Sequence, residues 1–172
     1  MTEFEALYRR YARDVYRFSL YLCGDRAAAE DITSETFVRA WNASGGIRAR
    51  TAKAYLFAIA RNCHAEGFRR VRSRPPGGIH AELDESLADP AARPDQEAES
   101  KDELDRVMSA MQTLPEADRT VLLLRAQEEW TYEEIAEATG LSLAAVKVRI
   151  HRARLRMAAW RAADREKRGE TT

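Results

Sequence analysis

The stretch from Leu141 to Arg156, LSLAAVKVRIHRARLR, interleaves cations and aliphatic residues in a chain of 172 residues whose formal net charge is +0. Wound as a helix at about 100° per residue, it puts Val146, Ile150, Ala153, Met157 and Trp160 on one arc, which should be buried. The opposite arc carries Lys147, Val148, His151 and Arg152, with Arg149, Arg154 and Arg156 on its flanks. One face suits a core and the other a polyanion. Just upstream, Thr131-Tyr132-Glu133-Glu134 can open a short helix, Gly140 can take the positive φ of a turn, and Ser142 can cap the helix that follows. A short helix, a glycine turn and a capped longer helix make a helix-turn-helix. Ile135, Leu141, Val146 and Ile150 would close its small core, and Ala136 is small where two helices must approach. In a major groove the central residues could touch base edges while the flanking arginines hold phosphates. A helix dipole favours cations in the last turn only, so it does not account for a helix basic along its length.

Working outward, nearly every periodic segment predicts helix, with no alternating strand pattern and no internal repeat. Thr2-Glu3-Phe4-Glu5 has the form of a capping box, followed by Phe4, Leu7, Tyr8, Tyr11, Val15, Phe18 and Leu22 at helical spacing and by Gly24 as a stop. Asp25 can cap a second helix to about Trp41, before Ser44-Gly45-Gly46. A third runs from about Thr51 to Arg72, with Leu56, Ile59, Ala60 and Cys63 on the arc expected to be buried and Phe57, Arg61 and Phe68 on the opposite one. Between Ser73 and Glu99 four prolines, two glycines and many acids interrupt any period. Such a run inside one compact domain is uncommon and reads as a tether. Helix resumes at the capping-box sequence Ser100-Lys101-Asp102-Glu103, with Leu104, Val107, Met108, Met111 and Leu114 as its stripe, and restarts after Pro115 with Val121, Leu122 and Leu124. The expected fold is therefore all-α: two small helical domains, residues 1–72 and 100–172, joined by a flexible acidic linker, residues 73–99.

The zero net charge is a cancellation. Residues 1–74 carry 14 Lys and Arg against 8 Asp and Glu (+6), and residues 146–172 carry 9 against 3 (+6). Residues 75–100 carry 1 against 7 (−6), and residues 101–145 carry 4 against 10 (−6). Two basic blocks separated by acidic sequence suggest two contacts with nucleic acid and a middle that nucleic acid repels. No apolar run approaches the roughly 20 residues of a membrane span, and MTEFEALYRR lacks the order of a signal peptide, so a cytoplasmic chain without a membrane partner is expected. Cys23 and Cys63 read as two reduced core thiols. His64, His80 and His151 lack metal-ligand spacing, and no phosphate loop or nucleophile motif occurs. An enzyme, a cofactor and a metal site are not expected.

Three segments, taken in order, carry a resemblance to a known family. Ala29 to Trp41, AEDITSETFVRAW, is similar to the polymerase-binding helix of sigma region 2; Ala54 to Asn62, AYLFAIARN, followed by Phe68-Arg69-Arg70, to the part that reads and opens the −10 element; and Leu114-Pro115, YEEIA from Tyr132 and AVKVRIHRAR from Ala145 to region 4, which reads the −35 element. The chain thus resembles the extracytoplasmic-function (ECF) group of the sigma-70 family, bacterial sigma factors that direct RNA polymerase to promoters.

The resemblance implies that Asp31, Glu35, Phe37 and Trp41 face core RNA polymerase, with Phe37 and Trp41 equally readable as core. It implies that Arg61, Arg69 and Arg70 hold phosphates of the separated strand at −10, while Asn62 or the loop from Ala43 to Thr51 accepts an unstacked base; Asn62 could instead bond between helices. It also implies that Lys147, Val148, Arg149, His151, Arg152 and Arg154 engage −35 duplex DNA, that the acidic linker threads a nucleic-acid channel of the polymerase or is merely solvated, and that an anti-sigma factor could mask the basic faces. Departures from the group are Ala145 and Val148 where hydroxyl residues are frequent, Tyr55 where tryptophan is common, and a short connection from Ser44 to Thr51. Val148 could meet a thymine methyl. The rival is a duplex-binding regulator that uses only residues 115–160 and needs no polymerase.

Overall fold

A computed structural model describes residues 3–43, 52–72 and 94–169, with side chains described over 3–43, 52–67 and 100–169. Its helices are α1 (Glu3–Cys23), α2 (Arg26–Asn42), α3 (Ala52–Arg72), α4 (Pro94–Gln112), α5 (Glu116–Ala126), α6 (Tyr132–Thr139) and α7 (Leu143–Lys167). No strand occurs among the described residues. The chain divides between Lys101 and Asp102 into two compact units.

In the first unit α1 and α2 pack on each other and both pack on α3. Gly24 makes the first turn possible: at φ 71 it takes the left-handed conformation that a side chain disfavours, and its amide donates to the Leu20 carbonyl at 2.8 Å. Asp25 then caps α2, its Oδ1 accepting from the Ala28 amide at 2.7 Å. Val15, Phe18 and Leu22 of α1 meet Ala29, Ile32 and Phe37 of α2 and Leu56, Phe57 and Ala60 of α3 in the core. Buried hydroxyls are satisfied within their own helices, Ser19 donating to Val15, Thr33 to Ala29 and Thr36 to Ile32, which lets polar residues sit on packed faces.

Phe57 corrects the sequence reading. It was expected on the arc opposite the core but is 1% exposed, its ring edge-on to Phe18 at 4.8 Å. Because α3 packs against two helices rather than one, its buried arc widens to take in Phe57 and His64, while Ile59 is only half-buried. The connection 44–51, the cap at Thr2 and the linker residues 73–93 lie outside the described residues.

Helix α4 begins earlier than expected, at Pro94 rather than Ser100, and the boundary between the two units falls within it. Proline suits the first position of a helix because its missing amide would have no partner there. The last six residues of the anticipated linker, 94–99, are thus helical. Every residue of α5 from Asp118 to Leu124 is buried. The polar members of that run have assigned tasks. Arg119 is 8% exposed and donates to the carbonyls of Met111 at 2.9 Å, Gln112 at 3.3 Å and Leu114 at 3.0 Å, bonding acceptors at the end of α4 and in the turn that follows it. Arg106 of α4 pairs with Asp164 of α7 at 3.5 Å.

The helix-turn-helix forms with the anticipated local chemistry. Thr131 and Glu134 make both bonds of a capping box, Gly140 closes α6 at φ 70, and Ser142 accepts from the Ala145 amide at 3.1 Å. Ile135, Val146, Ile150 and Ala153 are fully buried, whereas Met157 and Trp160 at the far end of that stripe are half-buried. A cavity at Phe57 tests the widened arc of α3. Phe57→Ala should destabilise the first unit by about 3–5 kcal/mol, read as a fall in its urea midpoint in the full chain; a change under about 0.5 kcal/mol, the surface value, would return Phe57 to the exposed face.

Candidate nucleic-acid interface

The cap at Ser142 fixes where α7 begins, and the buried line Val146, Ile150 and Ala153 fixes which side of it turns inward. Lys147, Val148, His151, Arg154 and Leu155 consequently face outward, Val148 with 61% of its surface exposed and Leu155 with 58%. Lys147, His151 and Arg154 make no hydrogen bond or ion pair with other described residues. Their donors, and the charges of Lys147 and Arg154, are available to a ligand.

Arg149 and Arg152 behave differently. Both reach Asp118, whose side chain has 0% of its surface exposed. Arg152 donates from Nε to Oδ2 at 2.7 Å and from Nη2 to Oδ1 at 2.7 Å, and Arg149 donates from Nη1 to Oδ1 at 2.9 Å. A buried carboxylate without counter-charges would be strongly destabilising; here two guanidiniums from one helix neutralise it. The bonds from Arg152 hold the Asp118 carboxyl below the ordinary carboxylate range, against burial, which acts the other way, and with help from Arg149. Asp118 carried no signal in the sequence, since an acid in the first turn of a helix reads as dipole compensation.

A second surface lies on α2. Asp31, Glu35, Val38 and Trp41 share an exposed face, with Val38 53% and Trp41 61% exposed. Phe37 is 3% exposed, with Tyr8 edge-on at 4.8 Å and Phe4 at 6.3 Å. The two readings of this aromatic pair therefore part: Phe37 is core, and Trp41 leans on Phe4 at 4.8 Å with its outer face open. Val38 was missed, although its spacing from Asp31, Glu35 and Trp41 puts it on their face. Glu35 accepts from Arg39 Nε at 2.6 Å, and Arg39 binds both carboxylate oxygens of Glu66 at 3.1 and 2.7 Å, tying α2 to α3.

On α3, Asn62 is exposed and its amide oxygen accepts from Arg61 Nη2 at 3.5 Å. Arg61 is half-buried, and burial pulls its guanidinium below the usual arginine range. Arg69 and Arg70 belong to the last turns of the helix, but their side chains, like the 44–51 loop, are outside the described residues. Among the described residues no helix is long and apolar enough to cross a membrane.

The two surfaces fall in segments that match two family models in order, sigma-70 region 2 over residues 7–74 and sigma-70 region 4 over residues 104–157. The ECF RNA polymerase sigma factor SigL of Mycobacterium tuberculosis is 33% identical over 148 residues, covering 85% of this chain and 81% of SigL. The chain belongs to the ECF sigma factors of the sigma-70 family. Like them it serves promoter-specific initiation by core RNA polymerase, through one region 2 unit and one region 4 unit. Sigma factors of this family are regulatory proteins rather than catalysts. The fold agrees: CnrH, solved with the cytosolic domain of CnrY, matches at a TM-score of 0.68 and 26% identity over 94% of this chain and 88% of CnrH. The sigma factor RpoE, solved with the anti-sigma factor NepR from Bartonella quintana, matches at 0.70 and 22% identity over 96% of this chain and 100% of RpoE.

In this sigma factor the depressed carboxyl of Asp118 has a consequence for pH. Its folded pKa lies below its unfolded value of about 3.9, so its contribution to stability is fully present above that value and is lost as pH falls through the folded pKa. The stability of the region 4 unit should fall below about pH 4, and Asp118→Asn should flatten that acid limb. Urea midpoints measured from pH 6 down to pH 2 would show it; parallel curves for the two proteins would contradict it.

Proposed function

We propose that this sigma factor grips a promoter at two places, with α1 to α3 of its first unit and with the helix-turn-helix of α6 and α7 in its second, while the acidic residues between them span the polymerase. Region 4 lays α7 in the major groove of the −35 element, Lys147, Val148 and His151 meeting base edges and Arg154 a phosphate. Region 2 offers Asp31, Glu35, Val38 and Trp41 to core RNA polymerase. Arg61, Asn62, Arg69 and Arg70 engage the −10 strand once it is unpaired, where cations and stacking surfaces offset the lost duplex. The linker carboxylates occupy a basic channel until RNA, the stronger polyanion, displaces them. The observation that carries this reading is the row of outward donors on α7, unengaged by other described residues, on a helix whose inward side is set by its core.

The chain acts by binding rather than by catalysis, and it works in the cytoplasm, where promoter DNA is. RpoE and CnrH were each solved with a protein bound; we infer that an anti-sigma factor masks this chain in the same way, covering the exposed Val38 and Trp41 and the basic face of α7.

Transcription from a promoter library with purified core polymerase tests the whole reading: initiation should depend on the chain, and initiation no better with it than without it would overturn the assignment. Two substitutions separate the surfaces. Trp41→Ala should weaken core binding by about tenfold or more, as truncation of a central aromatic does, without altering −35 preference. If Val148 covers a thymine methyl, replacing that thymine by uracil should cost the wild type about fourfold, the worth of one buried methyl, and cost Val148→Ala nothing; equal losses in both proteins would remove Val148 from base reading.

A further inference from the structure

The geometry points to Asp118 as a positioning residue for base selection: it holds Arg152 side-on so that one fixed two-donor edge of the guanidinium faces the DNA and selects guanine at a single −35 position. This inference rests on the proposal that α7 reads the −35 duplex, and adds a residue from a different helix to that reading.

A guanidinium has two forks. The side-on fork is Nε with Nη2, and the end-on fork is Nη1 with the outer hydrogen of Nη2. In Arg152 the side-on fork is consumed by Asp118, through bonds of 2.7 Å from both of its nitrogens. The end-on fork is left over. Nearly half of the side chain, 46%, remains exposed although its partner carboxylate is wholly buried, so the remaining edge is the outer one. Arg149 donates to the same Oδ1 at 2.9 Å, which holds the carboxylate from a second direction and limits its rotation. Arg152 also lies one residue beyond His151 and one helical turn beyond Val148, within the outward face of α7.

An unrestrained arginine loses rotamer freedom when it docks and can serve many acceptors, phosphates among them. A buttressed one has already lost that freedom and presents two parallel donors in one plane. In the major groove, adjacent acceptors that match such an edge are N7 and O6 of guanine; adenine offers one acceptor beside a donor. The triad therefore does two things. It fixes α5 to α7, and it turns a long flexible cation into a rigid reader. Charge follows the same logic: with Asp118 ionised, the triad carries two positive charges and one negative, so Arg149 and Arg152 together attract phosphate less than two free arginines would.

The test uses the full chain in holoenzyme with core polymerase and promoters carrying each base in turn at every −35 position. Wild type should prefer guanine at one position, and 7-deazaguanine there, which lacks the N7 acceptor, should weaken binding by about tenfold, the lower range for one bidentate contact. Asp118→Asn should lose most of that preference while keeping discrimination at the other positions. Its log–log salt slope should steepen by about one unit as the arginines are released to phosphates. A merely structural role for Asp118 would lower binding at all positions together and leave the pattern unchanged, and that result would overturn the proposal. Arg152→Gln leaves Asp118 paired with Arg149, so it provides a variant that does not strand the carboxylate. It should abolish the same single preference, and retention of guanine selectivity in Arg152→Gln would overturn the proposal whatever the state of Asp118→Asn. A wild-type holoenzyme with no −35 preference at all would instead fail the underlying reading and this inference with it.

Discussion

A carboxylate with no access to solvent has to find its counter-charges inside the protein, and Asp118 finds two on a helix that begins 25 residues later in the chain. That requirement links α7 to α5, a helix buried at every residue from Asp118 to Leu124. The apolar contacts of Val146, Ile150 and Ala153 hold α7 in place, but hydrophobic contact is not directional and would tolerate small rotations about the helix axis. Three charge-assisted hydrogen bonds of 2.7 to 2.9 Å do not. With the rotation of α7 set, so is the row of side chains it turns outward, the row we propose meets the −35 duplex.

The first unit uses the same device for a different surface. Arg39 spans Glu35 of its own helix and Glu66 of α3, so the acidic and apolar face of α2 is held against a fixed background. Core and surface are separated residue by residue there: Phe37 is held under Tyr8, and Trp41, four positions on, is left exposed. An exposed tryptophan beside an exposed valine is unfavourable for an isolated domain and suits one that functions in complex. In both units, ion pairs orient helices whose outer residues are left exposed.

Local chemistry was legible in the sequence, and tertiary chemistry was not. Asp25, Thr131, Gly140 and Ser142 were read correctly because a cap or a left-handed turn depends on residues within one helical turn. The order of region 2 and region 4 was legible for a related reason, since each motif is continuous. Phe57 was assigned to the wrong face because a single helical period assumes a single packing partner, and α3 has two. Asp118 and Arg119 were invisible because a charged residue in a helix reads as surface until its partners are known, and those partners are arginines 31 and 34 residues away for one and the carbonyls of α4 for the other. Arg152 fell on the basic arc as expected, yet its guanidinium is anchored from behind, which no periodicity reveals. The start of α4 moved to Pro94 because a proline that interrupts helices elsewhere begins one here.

The claim on which most depends is that Asp118 and Arg152 act as one unit in holding α7 to α5. A double-mutant cycle on the stability of the region 4 unit measures it, with Asp118→Asn and Arg152→Gln made singly and together and compared by urea unfolding at neutral pH. The account predicts strong coupling, so that the second substitution costs little once the first is present. Losses that simply add would mean that the two side chains do not depend on each other, and that something other than this pair sets the orientation of the reading helix.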